Sequence, residues 1–181
     1  MKKINLFVII LIGLIINTSC SSNDSSDSNI TNGFTVNGTP YATDIAIAGQ
    51  SFPYRLRFSN TTATVGDNIQ SGAFYLMAQS TESPLTTGAY STGNGPEGMY
   101  GISGYDPITF VDTSAENHSL GTSGYWHNDD EFISGNVTIN SLTLSSEEPI
   151  DQIIQIDISY SFKWDGVTIN GNYSGEVLPE N

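Results

Sequence analysis

The 181-residue sequence holds a single cysteine, Cys20, and two histidines, His118 and His127. One cysteine makes no disulfide within the chain, so the fold has to stand on its apolar core. Zinc sites want Cys or His in spaced pairs, which two isolated histidines do not supply. Cations are nearly as scarce, with 5 Lys and Arg against 19 Asp and Glu. A surface of that sign is repelled by nucleic acid, so no nucleic-acid partner is expected. It suits solubility and mutual repulsion, and it attracts Ca²⁺ or basic partners. Catalytic motifs are missing too. Gly101-Ile102-Ser103-Gly104 and Gly121-Thr122-Ser123-Gly124 lack the spacing of a nucleophile elbow, and there is no phosphate loop or dinucleotide fingerprint. A serine hydrolase needs a base within reach of its nucleophile, and the sequence points to none. Paired carboxylates for glycoside hydrolysis come from distant strands and leave no local signature, so that chemistry stays open. No stretch sustains a helical period.

What is present is alternation. From Ile154 to Trp164, Ile154, Ile156, Ile158, Tyr160, Phe162 and Trp164 recur at every second position with polar residues between them. That is the pattern of a half-buried strand. Asp165-Gly166 follows, a dipeptide suited to the positive φ angles of a type I′ turn, and fixing the turn fixes the register. Trp164 should oppose Val167, Phe162 Ile169, Tyr160 Gly171, Ile158 Tyr173, Ile156 Gly175 and Ile154 Val177. The other face should pair Lys163 with Thr168, Ser161 with Asn170 and Ser159 with Asn172. A slip of one residue would put the apolar set in water. Gly171 and Gly175 leave room for a large neighbour to lie across the backbone.

The N-terminus reads as an address. Lys2 and Lys3 precede an apolar run from Ile4 to Ile16, which closes on Asn17-Thr18-Ser19-Cys20. That is a secretory layout, and the run is shorter than the roughly 20 residues that span a bilayer core. Together with Ser21-Ser22-Asn23-Asp24-Ser25-Ser26-Asp27, it resembles a bacterial lipoprotein precursor of the type common in Bacteroidetes. Asn17 stands where that family has Leu, Val or Ile. The resemblance implies that residues 1–19 are a signal peptide, that Cys20 is lipidated and that residues 20–31 form a flexible tether. It also implies that the acids after the cysteine place the protein on the outer face of the outer membrane. Two or more acyl chains anchor a protein stably without a membrane span.

Residues 32–181 read as one domain, long enough to bury its own core. Asn37-Gly38 closes a second hairpin, with Phe34 opposite Tyr41 and Val36 opposite Thr39, and its apolar face is expected to continue through Ile45 and Ile47. Pro40 marks an edge strand. Tyr54, Leu56 and Phe58 alternate with Arg55 and Arg57, which either clamp a carboxylate or phosphate or pair with surface acids, the commoner arrangement. Ala73 to Ala78 is apolar on both faces, as in a central strand covered from two sides. Residues 91–107 are rich in Gly and Pro, with Tyr100 and Tyr105 as aromatic knobs for turns or a binding loop. Residues 108–111 and 120–126 are short strands. Val137 and Ile139 are out of phase with Leu142 and Leu144, which asks for a bulge near Asn140-Ser141. The fold class is therefore all-β, an antiparallel sandwich or barrel built from hairpins. The order of motifs also resembles small lipoprotein domains of the same bacteria, on hairpins such as "VNGTPY" and "DGVTINGNYSG". That resemblance implies a fold and no activity.

One constellation stands out, Tyr125-Trp126-His127-Asn128-Asp129-Asp130-Glu131. Its aromatic pair can stack on a sugar while amide and carboxylate groups take the hydroxyls, so Tyr125, Trp126, His127, Asp129 and Glu131, with Tyr100 and Tyr105, are the candidate ligand-binding residues. Asp129, Asp130 and Glu131 offer oxygen ligands of the kind Ca²⁺ takes, without the spaced loop of a strong calcium motif. The plainer alternative is a core tryptophan at a strand end beside a solvated turn. The sequence thus leads to a lipid-anchored, non-catalytic envelope protein that binds a glycan or protein partner. A structural envelope lipoprotein and a glycoside hydrolase are the alternatives.

Overall fold

Asn37 and Gly38 both adopt positive φ, at 49° and 86°, and Gly166 does so at 72°, as the two hairpin turns require. A computed structural model of the chain describes residues 31–50, 52–78, 80–92, 101–102, 108–114, 119–123, 132–147, 150–164 and 166–180. The elements are β1 (Gly33–Val36), β2 (Thr39–Ala42), β3 (Ile45–Ala48), β4 (Tyr54–Ser59), β5 (Gln70–Met77), β6 (Gly88–Ser91), β7 (Gly101–Ile102), β8 (Ile108–Asp112), β9 (Ser119–Ser123), β10 (Phe132–Leu144), β11 (Ile153–Trp164) and β12 (Val167–Pro179). There is no helix among the described residues. The proposed signal peptide, Cys20 and most of the tether lie outside them.

The strands form one sheet in the order β6-β10-β11-β12-β3-β4-β5-β8-β9, with β1 on β12, β2 on β1 and β7 on β5. The sheet curls into a half-barrel, and the all-β class read from the sequence is the class observed. Neighbours are antiparallel except at one joint, where β12 and β3 run parallel from Val177 opposite Ala46 to Pro179 opposite Ala48. The reason is local. β2 folds back on β1, β1 is antiparallel to β12, and β3 keeps the direction of β2 across Thr43-Asp44, so it meets β12 parallel.

The β11–β12 register is the expected one from Trp164 opposite Val167 to Ile156 opposite Gly175, including the polar pairs. It departs at the far end. The ladder stops at Gln155 opposite Glu176, Ile153 is buried and Ile154 is 40 % exposed. A register irregularity against Thr143 and Leu144 turns Ile153 inward in place of Ile154. The bulge near Asn140 is present between Ile139 and Ser141, and the Asn140 side-chain amide donates to Asp157 Oδ1 at 2.8 Å. Phe34 opposes Tyr41 as expected, but the face does not run on through Ile45 and Ile47. Ala46 and Ala48 enter the core instead, because the break at Thr43-Asp44 resets the phase. On β5, Phe74 and Leu76 are fully buried while Tyr75 and Met77 are half-buried, so its outer face is only partly covered.

The core is aromatic. Tyr160 lies over Gly171 and Phe110 over Gly72, each ring on the glycine directly opposite in the ladder, and a Cβ on either glycine would collide with the ring. The two rings meet across the interior with centroids 6.1 Å apart. Phe34, which also opposes Gly171, packs edge-on against Phe110 at 4.9 Å. Phe74 bridges to Tyr160 and to Phe162, at 5.1 Å each. Burying such rings removes about 150–250 Å² each from water and supplies much of the cohesion of the domain.

The Tyr160 hydroxyl is buried without a hydrogen-bond partner, and that burial pushes its pKa up. Two outcomes are expected. Gly171→Ala should cost about 2–3 kcal/mol in urea unfolding, through overpacking against Tyr160. Tyr160→Phe should raise stability by about 1 kcal/mol at neutral pH, since it deletes an unpaired buried hydroxyl. The sign of the pH effect follows. The unfolded tyrosine loses its proton near pH 10 while the folded one keeps it, so stability should fall above about pH 10. Tyr160→Phe should flatten that fall, and an unaltered alkaline limb would contradict the assignment.

Candidate functional site

The arginines of β4 alternate with its core residues, which places them on the outer face of the sheet. Their fates differ. Arg55 Nη1 pairs with Glu180 Oε1, both side chains about one-third exposed (32 and 33 %), which is the surface pairing anticipated for both arginines. Arg57 is only 6 % exposed and hydrogen-bonds no carboxylate among the described residues. Its Nη2 donates to the Thr61 carbonyl at 3.0 Å and the Ala63 carbonyl at 2.9 Å, and its Nε is buried without a partner. Burial lowers the Arg57 pKa, the charge of Arg55 adds to this and Glu180 opposes it. A guanidinium still holds its proton in such a setting.

Two chain segments bury Arg57. The loop between β4 and β5 folds back over the outer face, fixed by Asn60 Nδ2 donating to the Asn68 carbonyl at 2.9 Å and by the Gln70 amide donating to Asn60 Oδ1 at 3.0 Å. Thr113 Oγ1 holds its far side by donating to the Gly66 carbonyl at 2.9 Å. From the other direction, the parallel β12–β3 pairing carries Leu178, Pro179 and Glu180 alongside Ile47, and the Glu180 amide donates to the Ala48 carbonyl at 3.0 Å. Between the segments lies a groove of about 330 Å³, with Arg57 in its wall, Ile47, Leu178 and Pro179 as its apolar surface, and Thr62, Thr64 and Glu180 as its polar one. An open hollow of about 430 Å³ lies along the same loop, lined by Thr64, Val65, Gly66, Asp67, Ile69 and Thr113. Its Thr113 hydroxyl is already committed to Gly66 and to the Ile69 amide.

The residues singled out from sequence for ligand binding, Tyr100, Tyr105, Tyr125, Trp126, His127, Asp129 and Glu131, lie outside the described residues, as does Asp130 of the Ca²⁺ candidates. The strands that bracket them are described. β7, whose Ile102 pairs with Leu76, packs against β6 and β10, so three of the bracketing strands adjoin. Among the described residues no group of three or more His, Cys, Asp or Glu side chains is placed to hold a metal ion, and no helix is long and apolar enough to cross a membrane. The Arg57 groove carried one signal in the sequence, two arginines alternating on a strand of an acidic chain. Which of them is buried depends on the loop that folds over Arg57 and on Glu180, which lies 125 residues from the Arg55 it pairs with. Comparison with family models, curated proteins and solved structures finds no match for this chain.

The two arginines should respond differently to mutation. Arg57→Met strips two charge-assisted hydrogen bonds from the loop and should cost about 2–3 kcal/mol, with faster amide exchange over residues 60–69. Glu180→Ala breaks a partly exposed pair and should cost less than about 1 kcal/mol. Equal losses in urea unfolding would contradict this division.

Proposed function

We propose that the chain is a lipid-anchored protein of the bacterial outer membrane, exposed at the cell surface, whose β domain binds a glycan or a protein partner without catalysing a reaction. One observation carries this reading: a positive start, a short apolar run and small residues leading to the sole cysteine, followed by a polar stretch with hardly an apolar side chain. The described fold is compatible with a tether at that end. Thr31 is exposed, and its carbonyl accepts from Asn172 Nδ2 at 2.8 Å, so the chain reaches β1 along the outside of β12. An all-β scaffold is a common platform for recognition loops.

The test is to compare the natural chain with Cys20→Ala in whole cells. The natural protein should fractionate with the outer membrane and be shaved by added protease, while the alanine form should be released or left unprocessed. A natural protein that fractionates with the cytoplasm would overturn the anchor, and one resistant to shaving would overturn the outward placement. Titration against a glycan panel with and without Ca²⁺ addresses the ligand, and a flat response in both would remove the glycan.

A further inference from the structure

We infer that the groove over β4 binds the carboxylate of an acidic sugar, with Arg57 as the group that holds it. This rests on the glycan-binding reading above and names the ligand class and the site.

The donor count comes first. A guanidinium offers five N–H groups, and the two on Nη2 are taken up by the Thr61 and Ala63 carbonyls. The two on Nη1 and the one on Nε have no partner among the described residues, and Nη1 is not among the buried unsatisfied atoms as Nε is. Nη1 is therefore the edge that an incoming anion can reach. The loop carbonyls hold the plane of the guanidinium before any ligand arrives, so little side-chain freedom is left to lose on binding.

The charge of the groove comes second. Among the described residues, the charges that act on Arg57 are those of Arg55 and Glu180, and these two already pair with each other. One uncompensated positive charge remains, which suits a monoanionic carboxylate better than a phosphate dianion. A guanidinium sheltered from water with its Nε buried and unpaired is costly to maintain, and an anionic ligand would relieve that cost.

The rest of the wall speaks for a sugar. Thr62 and Thr64 are exposed, and their hydroxyls make no hydrogen bond among the described residues. Ile47, Leu178 and Pro179 form an apolar surface against which the C–H face of a pyranose can lie, and Leu178 is 43 % exposed with the groove empty of side chains. The volume of about 330 Å³ lies at the small end of ligand sites and suits one or two sugar units.

The experiment uses the full chain in detergent micelles, titrated with methyl β-D-glucuronide, methyl β-D-glucoside and inorganic phosphate and followed by NMR at Arg57, Thr64 and Leu178. Glucuronide should give saturable shifts at these residues, with glucoside weaker by about tenfold or more because the buried cation is then left unpaired. Affinity should fall below about pH 4 as the sugar carboxylate takes a proton. Arg57→Gln should abolish the shifts. Should that variant fail to fold, Leu178→Glu places a negative charge at an exposed position and should weaken binding by about tenfold or more. The inference is overturned by the absence of saturable shifts with glucuronide, by phosphate binding more tightly, or by Leu178→Glu binding as well as the natural chain. Failure here together with binding of a neutral glycan elsewhere would leave the glycan-binding function standing. Glucuronide binding by a chain that does not anchor would uphold the site and the glycan reading and remove the anchor alone.

Discussion

Tyr160 over Gly171 and Phe110 over Gly72 are the contacts on which the rest of the architecture depends. A strand interior ordinarily loses by carrying glycine. Here each glycine leaves bare backbone where the ring opposite can cross its own ladder and reach toward the middle of the curl. The rings come from strands that are not neighbours in the sheet, and they meet at 6.1 Å. Phe34 and Phe74 fill the flanks at 4.9 and 5.1 Å. A sheet with ordinary side chains at positions 72 and 171 would have to hold these faces further apart, and the outer groove over β4 depends on how the two halves join.

Features decided by neighbours in the chain were legible before any coordinates. Asn37-Gly38 and the glycine at 166 set two hairpins with their registers, and the phase change between Ile139 and Leu142 announced the bulge at Asn140. Where the sequence offered two apolar residues in a row, the pattern lost its power. Alternation favours Ile154, in phase with Ile156 and Ile158, yet the irregular pairing with β10 turns Ile153 inward in its place. The parallel joint of β12 with β3 was illegible for another reason, since it follows from how three short strands reverse in space. Arg57 belongs with it: alternation put the residue on the outer face correctly, but its burial comes from a loop and a terminal segment that no local pattern describes.

The few cations after the signal-like segment divide into three circumstances. Lys163 stands exposed on β11, Arg55 is matched by Glu180, and Arg57 is enclosed. In an acidic protein the surrounding field favours any basic side chain, so salt-bridge partners are plentiful. That Arg57 hydrogen-bonds carbonyls in place of a carboxylate is therefore a consequence of enclosure. The loop carbonyls that shield it take the place of a carboxylate, and Glu180, the acid of the same groove, pairs with Arg55, so the groove keeps a charge that the bulk of the surface does not have.

The parallel joint also bears on how the molecule comes to be folded. β12 takes β11 on one edge and both β1 and β3 on the other, so the strand that unites the two ends of the sheet is the last of the described strands to leave a ribosome. Until it emerges, β1 with β2, β3-β4-β5-β8-β9 and β6-β10-β11 can each pair, but no ladder joins the three groups. Contacts spanning so much of the chain make for slow, late and concerted assembly. A polypeptide of this kind stays open for as long as it is incomplete, a useful property for any chain that has to be threaded through a membrane before it can take its shape.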